Sequence, residues 1–192
     1  MSDLSERFFF VRHGQTDANI SNLAAGAGWD IELNQTGLTQ AQELAASEHI
    51  KSCVNVKTIC VSPMIRAKQT AEALRATIDA PVVYIDELKE WHLGDWERRD
   101  WTELPSLFHA DTNPPNGESQ LEFGQRIAIG LQKALAHEGP VLIVAHGGVW
   151  HAIAKILSLP GGSITNCELK QLSRPHAEAN WELLANDLQT LD

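Results

Sequence analysis

The sequence predicts an α/β fold, a three-layer α/β/α sandwich around a mostly parallel central sheet. Short apolar or β-branched runs alternate with longer amphipathic stretches along most of the 192 residues, the pattern of strand–helix repeats. Two of those runs, "FFFV" and "VLIVA", are apolar throughout, as expected of strands buried on both faces. The length fits a single domain, 1–192, with room for a real core.

The elements follow in order. "RFFFVR" (7–12) reads as a buried strand. "TGLTQAQELAASEHI" (36–50) reads as a helix with Leu38, Ala41, Leu44 and Ala45 on one face. "VKTICVS" (56–62) is strand-like and leads into "PMIRAKQTAEALRATI" (63–78), where Ala67, Ala71, Leu74 and Ile78 form a helical stripe. Ser62 is the expected N-cap of that helix, and Pro63 suits its first position. "PVVYIDEL" (81–88) is a third strand. "SQLEFGQRIAIGLQKALAHEG" (119–139) is a long helix with Phe123, Ile127, Leu131 and Leu135 in phase. "PVLIVAH" (140–146) is a strand and "GGVWHAIAKILSL" (147–159) a helix. "NCELKQLS" and "NWELLAN" are read as edge strands that pair with each other.

Composition narrows the function classes. A formal net charge of −10 argues against nucleic acid or an anionic membrane surface as partner. It leaves room for a small anion in a locally basic pocket. No apolar run approaches the roughly 18 residues of a membrane span, and the N-terminus lacks the pattern of a signal peptide. Cys53, Cys60 and Cys167 are odd in number and widely spaced, so free thiols in the cytoplasm are expected.

In parallel sheets ligands sit beyond the carboxyl ends of the strands. Arg12 and His13 follow the first predicted strand, Arg66 opens the helix after the second, Glu90 follows the third, and His146 and Gly147 follow the fourth. Arginine forks suit phosphate oxygens. Helix amides after Ser62 would add partial positive charge, and Gly14 would let the backbone approach a ligand. A tetrahedral dianion is the natural occupant of such a rim.

On "RHGQT" (12–16) with Asn19, "SPMIRAKQTA" (62–71), "LKEWHLGDWE" (88–97), "NGES" (116–119) and "VAHGGV" (144–149), the chain resembles the histidine phosphatase superfamily, also called phosphoglycerate mutase-like. The resemblance implies phosphoryl transfer through a phosphohistidine. His13 matches the nucleophile. Arg12, Arg66 and His146 match the residues that hold the phosphoryl oxygens, with Thr16, Asn19 and Gly147 as further phosphate contacts. Glu90 matches the proton donor. Nearby Glu87, Asp95 and Glu97 are alternatives for that role.

Trp91, His92 and Glu118 are candidates for the substrate mouth, Glu118 by orienting a basic group or else by capping the next helix. The segment 91–118 is a candidate lid. Trp96 and Trp101 are expected in core and rim packing, His151 in packing or at the surface, and His49, His109, His137 and His176 at the surface. Arg98 stands where many family members have glycine, which leaves the local loop shape open.

The scheme needs no metal and no cofactor, because the arginines take the place of a metal clamp. The short spacing between Glu90 and His146 favours the phosphatase branch, whose short members include broad-specificity and alpha-ribazole phosphatases. A small phosphorylated metabolite is the expected partner. A phosphosugar-acid mutase, a silent phosphate-binding module and a metal hydrolase built on His13, His92 and His146 are the alternatives.

Overall fold

The computed structural model describes residues 6–53, 55–105, 112–160 and 162–184. Strand β1 (Glu6–Arg12) sends Phe8 and Phe10 to one face of the sheet and Phe9 and Val11 to the other, all buried. Both faces must therefore be covered.

After a short helix α1 (Asp17–Ile20), helix α2 (Gln35–Ala46) covers one face with α3 (Ile65–Leu74). There Ala41, Leu44, Ala45, Ala67, Ala71 and Leu74 are buried. Leu38, expected in that stripe, is 36% exposed, and Gly37 takes its place on the buried side. Helices α4 (Gln120–Leu135) and α5 (Gly147–Ile156) cover the other face with Phe123, Ile127, Leu131, Val149, Trp150 and Ile153. The three layers are those the alternating pattern predicts.

The remaining strands are β2 (Thr58–Val61), β3 (Val82–Tyr84), β4 (Val141–Ala145), β5 (Leu169–Arg174) and β6 (Glu182–Leu183). Their order across the sheet is β3-β2-β4-β1-β5-β6. β3, β2, β4 and β1 run parallel, and β5 and β6 are antiparallel additions. β5 and β6 pair with each other as expected, with β6 at the sheet edge and β5 between it and β1. Residues 185 and 186 of the expected last strand lie outside the described residues.

The third strand is also shorter than expected. After Tyr84 the chain turns into a short 3-10 helix at Asp86–Leu88. Beyond it, Arg98 takes φ 67°, the left-handed region that favours glycine. Its guanidinium lies 4.8 Å from the Trp29 ring centroid, a contact that offsets part of the backbone cost.

Candidate active site

β1 and β4 are neighbours in parallel register, with Arg12 opposite Ala145. The next residue on each strand is a histidine. His13 N–H donates to Ala145 O at 2.9 Å, so the ladder continues one step past β1. The rings of His13 and His146 meet there, with centroids 5.2 Å apart and planes at 60°. Residues 133 apart in sequence (146 − 13) are joined by one strand pairing.

His13 is 4% exposed. Its Nδ1 lies 2.7 Å from the Gly14 carbonyl. A carbonyl only accepts, so Nδ1 carries the proton and Nε2 keeps its lone pair. Burial first, then the nearby Arg66 and Arg12, holds His13 well below the ordinary imidazole range. The ring is therefore neutral at pH 7.

The backbone around His13 is fixed by two contacts. Gly14 N–H donates to Thr70 Oγ1 at 3.0 Å, and Asn166 Nδ2 donates to His13 O at 2.9 Å. A Cβ on Gly14 would meet the Gly37 carbonyl at 2.5 Å. The close approach of helix α2 thus requires glycine here.

His146 is fully buried, and burial, Arg66, His13 and Arg12 depress its basicity in turn. Its Nε2 lies 2.8 Å from Ser62 Oγ. Met64 N–H reaches the same oxygen at 3.4 Å. Ser62 Oγ is thus the partner of His146 Nε2, and the ring tautomer sets which of the two donates. Ser62 is therefore the support of His146, not the N-cap expected above. The helix begins later, with Met64 as a cap that makes no side-chain bond. Its first amide, of Ile65, is taken by Asp30 Oδ1 at 2.8 Å, so it is not free for an anion.

Two arginines flank the imidazoles. Arg12 Nη1 donates to Ile164 O at 2.6 Å. Arg66, 1% exposed, donates to Gly26 O at 2.9 Å and Trp29 O at 3.3 Å. Burial lowers both pKa values, and Glu90 partly opposes this. Among the described residues, the buried side-chain nitrogens without a partner are Arg12 Nε, Arg66 Nε and His146 Nδ1. An unpaired buried donor is costly. The two guanidinium Nε–H groups fit an anionic ligand that accepts from both, and His146 Nδ1 joins them in the tautomer that carries its proton there.

Glu90 faces this group from the loop after β3. Its Oε1 accepts from Trp91 N–H at 2.9 Å, and its Oε2 accepts from Gly148 N–H at 3.1 Å. A Cβ at Gly148 would meet Glu90 Oε1 at 2.4 Å, so that glycine makes room for the carboxylate. The loop is braced from α4 by Arg126. Its guanidinium donates to the carbonyls of Glu87, Lys89 and Glu90 at 2.8, 2.9 and 3.1 Å. It also pairs bidentately with Glu118 at 2.7 and 2.8 Å.

The two arginines, His13 and Glu90 open on one cavity of about 1420 Å³. Arg12, His13, Thr16, Asn19, Arg66, Glu90, Trp91 and Gly147 all line it. His146 stands behind that lining, fully buried. Thr16 caps α1 through a reciprocal pair of bonds with Asn19. His92 and Glu118 do not line this cavity; with Arg126 they line a smaller neighbouring depression. Glu118 is engaged by Arg126, the basic group it orients. Of the expected lid, residues 106–111 lie outside the described residues, as does His109. His49, His137 and His176 are exposed as expected.

The sequence pattern of the histidine phosphatase superfamily (branch 1) matches residues 8–186. The chain belongs to that superfamily. It is 34% identical over 180 residues to an uncharacterized phosphatase PhoE of Bacillus subtilis, across 90% of each chain. An adenosylcobalamin/alpha-ribazole phosphatase of Escherichia coli is 31% identical over 178 residues, 86% of each chain. The solved structure of a mycobacterial glucosyl-3-phosphoglycerate phosphatase superposes with a TM-score of 0.76 at 28% identity, over 93% of this chain and 97% of that one.

Within this histidine phosphatase, three site neighbours escape the sequence reading. His151 lines the cavity one turn along α5 from Gly147, a spacing that points it toward the same end of the sheet. Arg126 sits between the buried Phe123 and Ile127 on α4. A charged residue on the flank of an apolar stripe is the available signal. For Asn166 the sequence offers only the loose likeness of "NCEL" to a late Asn-containing element of the family, because its partner His13 O lies on a distant strand end.

Proposed function

We propose that this histidine phosphatase hydrolyses phosphate monoesters through a phosphohistidine on His13, with Glu90 as proton donor, no metal and no cofactor. The whole chain, 1–192, acts as one catalytic domain on a small phosphorylated metabolite. The observation that carries the reading is the set of three unpartnered buried nitrogens, on Arg12, Arg66 and His146, around a neutral His13 whose tautomer leaves Nε2 free.

The phosphoryl group sits among Arg12, Arg66 and His146 Nδ1, with Thr16, Asn19 and Gly147 at its edges. His13 Nε2 attacks phosphorus, and the P–O bond to the alcohol breaks. Glu90 gives its proton to the departing oxygen. Water then attacks the phosphohistidine, the P–N bond breaks, and Glu90 takes the proton of that water. Inorganic phosphate leaves and His13 returns to its starting form.

Positioning carries most of the barrier. Phosphate monoester hydrolysis needs accelerations up to about 10²¹, whereas general acid catalysis gives roughly 10²–10⁴. Guanidinium groups fixed before substrate arrives supply charge complementarity without reorganisation. The test is phosphate release from p-nitrophenyl phosphate by the unmodified chain and by His13→Ala. Turnover that disappears in the folded variant supports the proposal. Equal turnover in both contradicts it, and isomerisation of a phosphorylated sugar acid without phosphate release would indicate a mutase.

A further inference from the structure

Two loops distant in sequence hold the charged groups of the site. Loop 22–30 supplies the carbonyls that fix Arg66, those of Gly26 at 2.9 Å and Trp29 at 3.3 Å. Loop 89–100 carries Glu90 and Trp91. Backbone bonds run between them. Ala27 N–H donates to Trp91 O at 3.0 Å, Ala24 N–H to Arg99 O at 2.9 Å, and Arg98 N–H to Ala24 O at 2.7 Å.

Glu97 joins the same two loops through its side chain. Its Oε1 accepts from Gly28 N–H at 2.9 Å in the first loop and from Leu93 N–H at 3.1 Å in the second. One oxygen thus satisfies two amides 65 residues apart (93 − 28). The first loop is shaped around this carboxylate. A Cβ on Gly26 would meet Glu97 Oε1 at 2.5 Å, and a Cβ on Gly28 would strike Glu97 Oε2. The two glycines of "GAG" (26–28) are therefore both explained by Glu97. Both carbonyls that fix Arg66 belong to this stretch or directly follow it.

Gly26, Arg66 and Glu90 line the cavity, and Glu97 does not. It stands behind the wall and acts through its neighbours. Its charge also reaches Arg66. Burial lowers the Arg66 pKa, and Glu90, Asp30 and Glu97 oppose that.

We infer that Glu97 is a positioning residue that ties the Arg66 clamp to the Glu90 loop, so that phosphoryl binding and proton delivery depend on one carboxylate outside the cavity. This rests on the phosphatase reading above.

The experiment reads the two arms separately. Calorimetry with inorganic phosphate reports the Arg66 arm. The kcat/KM for glycerol 2-phosphate divided by that for p-nitrophenyl phosphate reports the Glu90 arm, because the alkyl ester depends most on a proton donor. Glu97→Ala should weaken phosphate binding by about tenfold or more and lower the ester ratio by a similar factor. Glu97→Gln keeps an oxygen that accepts from both amides and should stay within about threefold on both readouts. Gly28→Ala, whose Cβ takes the place of the carboxylate, should reproduce both losses and secures the test if Glu97→Ala fails to fold.

A brace that serves stability alone would lower the melting temperature and leave both readouts unchanged in the folded variants, which would overturn the proposal. Loss of one readout without the other would overturn the tie between the arms, as would Glu97→Gln as impaired as Glu97→Ala. Failure of this proposal leaves turnover by the unmodified chain intact. Turnover of neither ester by the unmodified chain would instead overturn the phosphatase reading, and the proposal with it.

Discussion

The rings of His13 and His146 lie 5.2 Å apart, side by side on neighbouring parallel strands. Neither is more than 4% exposed, and both sit beside the guanidinium groups of Arg12 and Arg66. Every nearby cation opposes protonation of either ring. Neutral imidazole is thus a property of the fold before any substrate arrives.

That neutrality makes stability sensitive to acid. In the unfolded chain a histidine protonates near pH 6.5. In the folded chain His13 and His146 protonate only well below that. Between those limits the unfolded state binds more protons, so stability falls as pH falls below about 6.5. Each ring contributes up to about 1.4 kcal/mol per pH unit. Urea midpoints between pH 7.5 and 5 should show a shallower acid loss in His146→Asn than in the unmodified chain. Identical slopes would show that His146 is not held neutral.

The carboxylate of Glu90 faces the site on two backbone amides, those of Trp91 and Gly148. As proton donor it matters most for leaving groups that cannot depart as anions. Glu90→Gln is expected to slow alkyl phosphates by about 10²–10⁴-fold and aryl phosphates far less. Equal losses on both substrates would assign the proton to another acid.

Ser62 separates two physical roles. As the support of His146, its removal costs about 10–100-fold in kcat, the equivalent of one hydrogen bond to a buried group. Ser62→Ala should also mix the His146 tautomers in nitrogen NMR spectra at neutral pH. As a helix cap, its removal would instead cost about 1 kcal/mol of stability and leave kcat intact. Unchanged tautomers with unchanged kcat would refute the support role.

Arg126 ties the Glu90 loop to α4 and to Glu118, with side chains 24% and 16% exposed. Arg126→Met should destabilise the fold by roughly 2 kcal/mol, between exposed and fully buried pairs. Most of that reflects Glu118 left buried without its partner, so adding Glu118→Gln should restore part of the loss. A double variant whose losses simply add would show that the two side chains act independently.

The two-histidine part of the rim was legible in the sequence because Arg12, His13 and His146 stand directly after apolar runs. Arg12 and His13 end "FFFV", and His146 ends "VLIVA". Strand ends in a parallel sheet share one side, which places such residues together without knowledge of strand order. The order itself was not legible. Nothing local in β1 or β4 states that they pair, although this pairing sets the distance between the rings. The misassigned residues share a cause. Ser62 fits a familiar local role, a cap, but a long-range partner, His146, claims it, and the Gly37 contact that makes Gly14 a glycine is equally long-range. Leu38 fits a helical stripe, yet α2 turns its Gly37 edge inward because the Gly14–Gln15 backbone packs there.

The most direct measurement is the identity of the phosphorylated atom during turnover. With labelled p-nitrophenyl phosphate, rapid quenching at alkaline pH should trap acid-labile phosphate on the His13 ring. His13→Ala should trap none. Label carried by a carboxylate or hydroxyl, or by His146 in place of His13, would contradict the account.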